Sequence, residues 1–107
     1  MEFACGNIFI RAGMLQKQGQ FMEGHQHHFD HVTYCTSGRL KIVRTSPDGR
    51  TDTRELSPGE LPVLIKAEYT HHIEALEDYS GYHCIYAHRT PQGEVTQQFT
   101  GWMDAYT

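Results

Sequence analysis

The chain has 107 residues and a net charge of −4 when its histidines are neutral. This length predicts a single domain over residues 1–107. The nine lysines and arginines are scattered, so no basic patch could follow a phosphate backbone, and we expect no nucleic-acid partner. No run approaches the ~20 apolar residues of a membrane span, so we expect no membrane partner either.

The cysteines and the N-terminal residues favour a cytoplasmic protein. The three cysteines are widely spaced and form no Cys-x-x-Cys motif, which excludes a zinc ribbon or a thioredoxin-like redox motif. The first residues, MEFACGNIFIRAG, lack the charged region and long apolar run of a secretory signal. We therefore expect free thiols in a reducing compartment.

Short extended runs, separated by turn signals about every ten residues, predict an all-β sandwich or barrel. The first predicted strand is NIFIRAG and the second is GQFMEGHQH. In the second, Phe21, Glu23, His25 and His27 share one face, because side chains alternate along a strand. HVTYCTS is rich in β-branched and aromatic residues, and RLKIVRTS follows it after Gly38 with hairpin spacing.

The second half of the chain continues the same pattern. A turn at SPDGR leads into the polar strand TDTREL, and a turn at SPGE leads into the apolar strand LPVLIKA. HHIEAL and GYHCIYAHR are two further predicted strands. For residues 89–107 two alternatives stay open: a last strand, or a short helix that packs Phe99, Trp102 and Tyr106 on the barrel.

Histidine is the unusual residue of this chain, and four of the eight histidines lie between His25 and His31. His25 and His27 project from one face of the predicted strand, and a turn after them can bring His31 beside the pair. Three converging imidazoles suit a divalent transition metal. The alternative is a polar turn that is merely rich in histidine. His28 is expected to point elsewhere.

A fourth imidazole is predicted from the strand HHIEAL, where His71 and His72 are adjacent. If His71 faces the interior, Ile73 and Ala75 face it too, because side chains alternate. Placing His72 inward would bury the carboxylate of Glu74 beside it, which costs more. We therefore expect His71 to be the ligand, with His72 as the alternative.

The first of these histidine stretches resembles the first motif of the cupin family. That motif runs from a glycine to His-x-His, then to an acid, and then to a second glycine at fixed spacings. Here the segment His25–His27 is followed after three residues by His31, which replaces the usual acid, and after six more by Gly38. Gly19 stands where the opening glycine is expected.

The second stretch resembles the second cupin motif less closely. Gly59 leads the apolar strand, and Lys66–Glu68 stands where the family usually has Pro-x-Gly. His71 follows after two residues. The resemblance covers residues 19–88.

The resemblance implies a cupin-type double-stranded β-helix, or jelly-roll barrel, on which residues 89–107 pack. The chain is similar to small single-domain cupins with four histidine ligands. This similarity implies one divalent transition metal (iron, manganese, nickel, copper, cobalt or zinc) held by His25, His27, His31 and His71. Cupins commonly pair, which implies a homodimer, here through the strand NIFI and the tail that contains Trp102.

The expected chemistry follows from the charge of such a site. A metal held by neutral imidazoles keeps its full charge, which favours anionic ligands in its open positions. We therefore expect an enzyme that acts on a small anionic organic substrate with oxygenase-type chemistry. A metal-dependent lyase or isomerase is one alternative, and a module that binds a metal or small molecule without turnover is another.

Strand alternation also predicts the residues around the metal. Thr33 and Cys35 share the inward face of His31, and Phe21 and Glu23 share the face of His25. Glu23 is a candidate general base, or an acceptor that orients an imidazole, with a salt bridge at the rim as the alternative. On the later strand, the favoured pocket residues are Tyr82, Cys84 and Tyr86, and the opposite parity would give His83, Ile85 and Ala87.

Overall fold

The computed structural model describes residues 1–24 and 26–100. Over these residues the chain forms β-strands and no helix, so the all-β prediction is confirmed. The strands are β1 (Glu2–Gly6), β2 (Ile8–Leu15), β3 (Phe21–Glu23), β4 (His31–Ser37), β5 (Leu40–Thr45), β6 (Thr51–Leu56), β7 (Val63–Ile65), β8 (Thr70–Ala75), β9 (Ser80–Ala87) and β10 (Gln98–Phe99). No helix within these ranges is long and apolar enough to cross a membrane.

The strands form two antiparallel sheets. The six-stranded sheet has the order β10-β1-β2-β9-β4-β7, and the four-stranded sheet has the order β3-β8-β5-β6. Successive strands often change sheet, as β3 does before β4 and β7 before β8. This alternation between two facing sheets is the jelly-roll arrangement.

The core lies between the two sheets because each contributes one apolar face. From the four-stranded sheet, Leu40, Ile42 and Ile73 are fully buried. From the six-stranded sheet, Cys35 and Ile65 meet them in the same cluster. Strand β6 is exposed except at its last residue, in agreement with its polar sequence, because it forms the edge of its sheet.

The turn at Gly38 joins β4 to β5 and depends on glycine for two reasons. Its φ of +64° lies in the left-handed region, which L side chains rarely adopt. A Cβ there would also lie 2.5 Å from Oγ of Ser80. That hydroxyl donates to the carbonyl of Arg39 and accepts from its N–H, so the turn is fixed against β9.

The ends of the chain differ from the expectation. A separate strand, β1, precedes the predicted NIFIRAG strand and pairs with it across the turn at Gly6. In the tail, Phe99 lies in β10, opposite Cys5 of β1, so the described part of the tail follows the strand alternative. Trp102 and Tyr106 lie outside the described residues.

Candidate metal centre

A small cavity of about 80 Å³ opens between the two sheets at one end of the core. Its lining combines imidazoles, a thiol and one guanidinium with apolar and aromatic groups. The residues around it are Glu2, Arg11, Met22, Gly24, His27, His31, His71, Cys84 and Tyr86. His25, the first histidine of the predicted ligand set, lies outside the described residues.

His31 and His71 face each other across this cavity from opposite sheets. His31 opens β4 of the six-stranded sheet and His71 lies in β8 of the four-stranded sheet. Their ring centroids are 4.9 Å apart, and the two residues are only 4% and 6% exposed. Nδ1 of His31 has no hydrogen-bond partner among the described residues. A buried nitrogen left unpaired is costly, so the arrangement fits a bound metal ion.

The surroundings keep the His31 imidazole neutral. Burial lowers the pKa of His31, and the neighbouring His71 and His27 lower it further; together they outweigh the nearby Asp30 and bring the pKa to about 3. At neutral pH the ring therefore carries no proton on one nitrogen, and that lone pair is available to a metal. A metal ligand must be in this state before it can bind.

His27 reaches the same cavity from the loop between β3 and β4. Its ring centroid lies 5.3 Å from that of His31, and the two rings are nearly perpendicular. The His27 ring also stacks on Phe29 at 4.8 Å, and Phe29 stacks in turn on Tyr86. We call the rings of His27, Phe29 and Tyr86 the aromatic stack. It fixes the plane of an imidazole that would otherwise turn freely on a loop.

Cys84 brings a sulfur atom to the imidazoles. The ligand atoms of His31, His71 and Cys84 all lie within 4.8 Å of one another. Oγ1 of Thr33 lies 3.2 Å from the sulfur. Burial raises the pKa of the Cys84 thiol, while the hydrogen bond with Thr33 and the charge of Arg11 act in the opposite direction. Strand alternation predicts the place of Cys84 in the pocket, but its nearness to the two imidazoles depends on sheet packing.

Gly24 holds the backbone close to His71. Its N–H donates to the carbonyl of His71 at 2.8 Å. A Cβ on Gly24 would lie 2.3 Å from Cε1 of the His71 ring, so a larger residue would displace the imidazole. The glycine before the first His-x-His is visible in the sequence, but the contact that requires it joins two strands far apart in the chain.

The structure places His71, and not His72, in the cavity. His71, Ile73 and Ala75 are buried along β8, while His72 and Glu74 alternate outward and are only partly covered. This is the expected parity. The ring of His72 lies on the opposite face of the sheet, 6.2 Å from the ring of Phe21.

Phe21 and Glu23 require a correction, because both lie on the outer face and not in the pocket. Phe21 is 59% exposed, and Glu23 is exposed opposite His72. Met22, which pairs with the buried Ile73, lines the cavity in their place. The alternation from Phe21 to His27 fails because β3 ends at Glu23, and the chain continues as a loop in which strand parity no longer holds.

The remaining predicted pocket residues divide into two groups. Tyr86 and Cys84 line the cavity. Thr33, Cys35 and Tyr82 are also buried on the inner face, but they pack in the core beside the cavity and do not border it. The opposite parity set, His83, Ile85 and Ala87, is only half-buried, and His83 is hydrogen-bonded to the Tyr34 hydroxyl on the outer face.

The other histidines also have partners outside the cavity. His28 is exposed and lies 3.3 Å from the carboxylate of Glu68. His88 is hydrogen-bonded through Nδ1 to Thr96. Besides Met22, sequence reasoning missed two cavity residues from the N-terminal strands, Glu2 of β1 and Arg11 of β2. Arg11 lies directly opposite Cys84 in the register of β2 and β9, a pairing that no local pattern indicates.

Comparison with known proteins identifies the fold of this chain through solved structures. No family model matches the chain, and no curated protein sequence does. Among solved structures, it is similar to a single-site variant of oxalate decarboxylase from Bacillus subtilis, with a TM-score of 0.72 and 17% identity over 89% of this chain and 27% of that one. It is also similar to the formate complex of oxalate decarboxylase from Lactobacillus farciminis, with a TM-score of 0.71 and 17% identity over 81% of this chain and 27% of that one.

A third solved structure concerns the Mn(II) centres of the Bacillus subtilis oxalate decarboxylase. It has a TM-score of 0.69 and 19% identity, over 86% of this chain and 24% of that one. The chain spans about a quarter of the length of these solved structures. Together they show that the chain has the cupin fold, as the two motifs predicted.

Proposed function

We propose that the protein is a metal-dependent enzyme that acts on a small anionic organic substrate. The observation that carries this proposal is that the buried Nδ1 of His31, which has no hydrogen-bond partner within residues 1–24 and 26–100, lies on a ring that faces His71 across a small cavity. His27, His31 and His71 would hold a divalent transition metal, with His25 as the further ligand implied by the cupin motif. A bound metal would supply Lewis acidity toward a substrate oxygen.

The rest of the cavity supports an anionic substrate. Arg11 lines the cavity, and a guanidinium binds a carboxylate through two parallel hydrogen bonds. A volume of about 80 Å³ is far below the several hundred Å³ of pockets that take drug-sized ligands. The substrate is therefore a molecule of a few heavy atoms, with a carboxylate at the Arg11 side.

Apolar groups would keep water from the reacting atoms. Met22 covers the cavity from the four-stranded sheet, and Tyr86 covers it from the six-stranded sheet. Arg11 itself is exposed, so it would attract the anion at the mouth of the cavity. The carboxylate of Glu2 is the acid in the lining and would hold or deliver a proton beside the substrate.

Two reaction classes suit this arrangement. Oxygenase-type chemistry is the first, because a metal with histidine ligands leaves positions for both a substrate and dioxygen. Cleavage of a carbon–carbon bond, a lyase reaction, is the second, because a metal can also bind the carboxylate of a substrate that loses carbon dioxide. The two differ in what they consume and release, since only the first requires oxygen.

Elemental analysis of freshly purified protein tests the metal site. We expect about one equivalent of a transition metal in the wild type and in His72→Ala, and much less in His71→Ala. The metal-loaded protein is then incubated with small carboxylates while oxygen uptake and carbon dioxide release are recorded. Full metal content in His71→Ala would contradict the ligand assignment. If a small carboxylate stabilises the protein but no product forms, the protein is a binding module and not an enzyme.

We also propose that the protein forms a homodimer through the outer face of its six-stranded sheet. Ile8 and Leu64 are 54% and 41% exposed, and they border one apolar surface together with Val32, Ile85 and Ala87. This surface includes Ile8 of the NIFI strand, through which the cupin resemblance implies pairing. Sedimentation of the wild type and of Leu64→Glu tests the proposal, and a monomeric wild type at micromolar concentration would contradict it.

A further inference from the structure

Cys84 is placed where an additional ligand of the proposed metal could lie. Its side chain lies on the inner face of β9, 6% exposed, and borders the cavity. Its sulfur shares this space with Nδ1 of His31, which is buried and has no hydrogen-bond partner in the described part of the chain. A thiol and the imidazole of His31 therefore border the same cavity.

The distances allow one ion to bind these groups. Zinc binds sulfur at about 2.3 Å and nitrogen at about 2.1 Å, so two ligand atoms on one ion are separated by at most about 4.4 Å. The ligand atoms of Cys84, His31 and His71 lie within 4.8 Å of one another. Side-chain shifts of about 1 Å or less would bring all three into coordination range.

We propose that Cys84 ligates the metal together with His31 and His71, so that the site is a mixed thiolate–imidazole site selective for zinc, cobalt or copper over manganese. This inference rests on the metal site proposed above. On binding, the thiol proton passes to solvent as the metal–sulfur bond forms, and no electron is transferred. The Thr33 hydroxyl, 3.2 Å from the sulfur, is then placed to donate to the thiolate.

The preference follows from the chemistry of the ligand atoms. A thiolate is a soft ligand that favours copper, zinc and cobalt, while manganese favours carboxylate and carbonyl oxygens. A histidine occupies the position where the cupin motif usually has an acid. Among the described residues that line the cavity, Glu2 is the one carboxylate. A thiolate would also offset part of the metal charge that neutral imidazoles leave uncompensated.

Cobalt(II) titration of the metal-free protein tests the proposal, because a thiolate bound to cobalt gives a near-ultraviolet charge-transfer band and an imidazole does not. The chain Cys5→Ser/Cys35→Ser keeps Cys84 as its one thiol. Cys35→Ser alone is the matched control for Cys84→Ser, since Cys35 is similarly buried but does not border the cavity. We expect the band in the wild type, in the double variant and in Cys35→Ser, and its loss in Cys84→Ser.

The outcomes separate this inference from the proposed metal site. Cobalt that binds the double variant with visible ligand-field bands but without the charge-transfer band would overturn the role of Cys84 and leave the imidazole site standing. Failure of cobalt, zinc and manganese to bind the wild type would overturn both. The double variant makes the result independent of whether Cys84→Ser folds. Displacement of bound cobalt by an equal concentration of manganese would also contradict the proposal.

Discussion

Replacing Gly24 by alanine tests how tightly the backbone controls the His71 imidazole. The new Cβ would lie 2.3 Å from Cε1 of His71, whereas ordinary contact begins at 3.4 Å, so the ring must move by about 1 Å. Metal–ligand distances tolerate only about 0.2 Å. We therefore expect metal affinity to fall about 10- to 100-fold, as it does when a group that orients a ligand is changed. Overpacking should also lower the free energy of unfolding by about 1–3 kcal/mol.

Gly13→Ala separates the two effects. A Cβ at Gly13 would lie 2.2 Å from Cζ of Tyr82, so this variant is overpacked to a similar extent, but in the core and away from the imidazoles. Urea unfolding of the metal-free chains should show similar losses of stability. Metal titration against a chelator should show a loss of affinity in Gly24→Ala alone. Equal metal affinity in Gly24→Ala and the wild type would refute the reasoning.

The other predictions concern the protonation of His31, the aromatic stack, and the binding of a carboxylate by Arg11. The metal-free protein should lose about 2 kcal/mol of unfolding free energy between pH 7 and pH 5. The reason is that His31 takes up a proton in this range when the chain is unfolded, with a pKa of 6.5, but not when it is folded, with a pKa of about 3. Urea unfolding of His31→Gln should show a correspondingly smaller dependence of stability on pH, and an unchanged dependence would count against the burial argument. Phe29→Leu should weaken metal binding several-fold through the loss of a stacking contact of about 1 kcal/mol, whereas the same change at Phe21, on the outer face, should leave the titration unaltered. Arg11→Gln should weaken binding of a small carboxylate to the cobalt-loaded protein by about tenfold or more, read from the cobalt spectrum, and identical binding would place the anion elsewhere.

Strand alternation explains why His71 could be selected over His72 from the sequence. Within β8 the pattern is local, since burying His71 carries Ile73 and Ala75 inward with it. The same rule failed at Phe21 and Glu23 because it holds only as far as the strand continues. β3 ends at Glu23, one residue before the hydrogen bond from Gly24 to His71, and the path of the chain beyond it depends on contacts between segments distant in sequence.

The contribution of Arg11 could not be predicted for a related reason. Its position beside Cys84 results from the pairing of β2 with β9, which depends on the order of strands in the completed sheet. The cupin motifs indicate the fold and the cavity histidines His27, His31 and His71. They contain no information about which N-terminal residue closes the cavity, because that residue lies outside both motifs.

The position of His31 and His71 in different sheets has a consequence for the level of folded protein. A metal held by both would connect the two halves of the jelly roll, and it would bind only after the halves had come together. At a free-metal concentration of about 1,000 times Kd, such a ligand adds about 4 kcal/mol to stability. That is a large part of the total for a domain of this size. Removal of the metal would then expose the chain to unfolding and degradation, so the amount of protein in a cell would follow the supply of its metal.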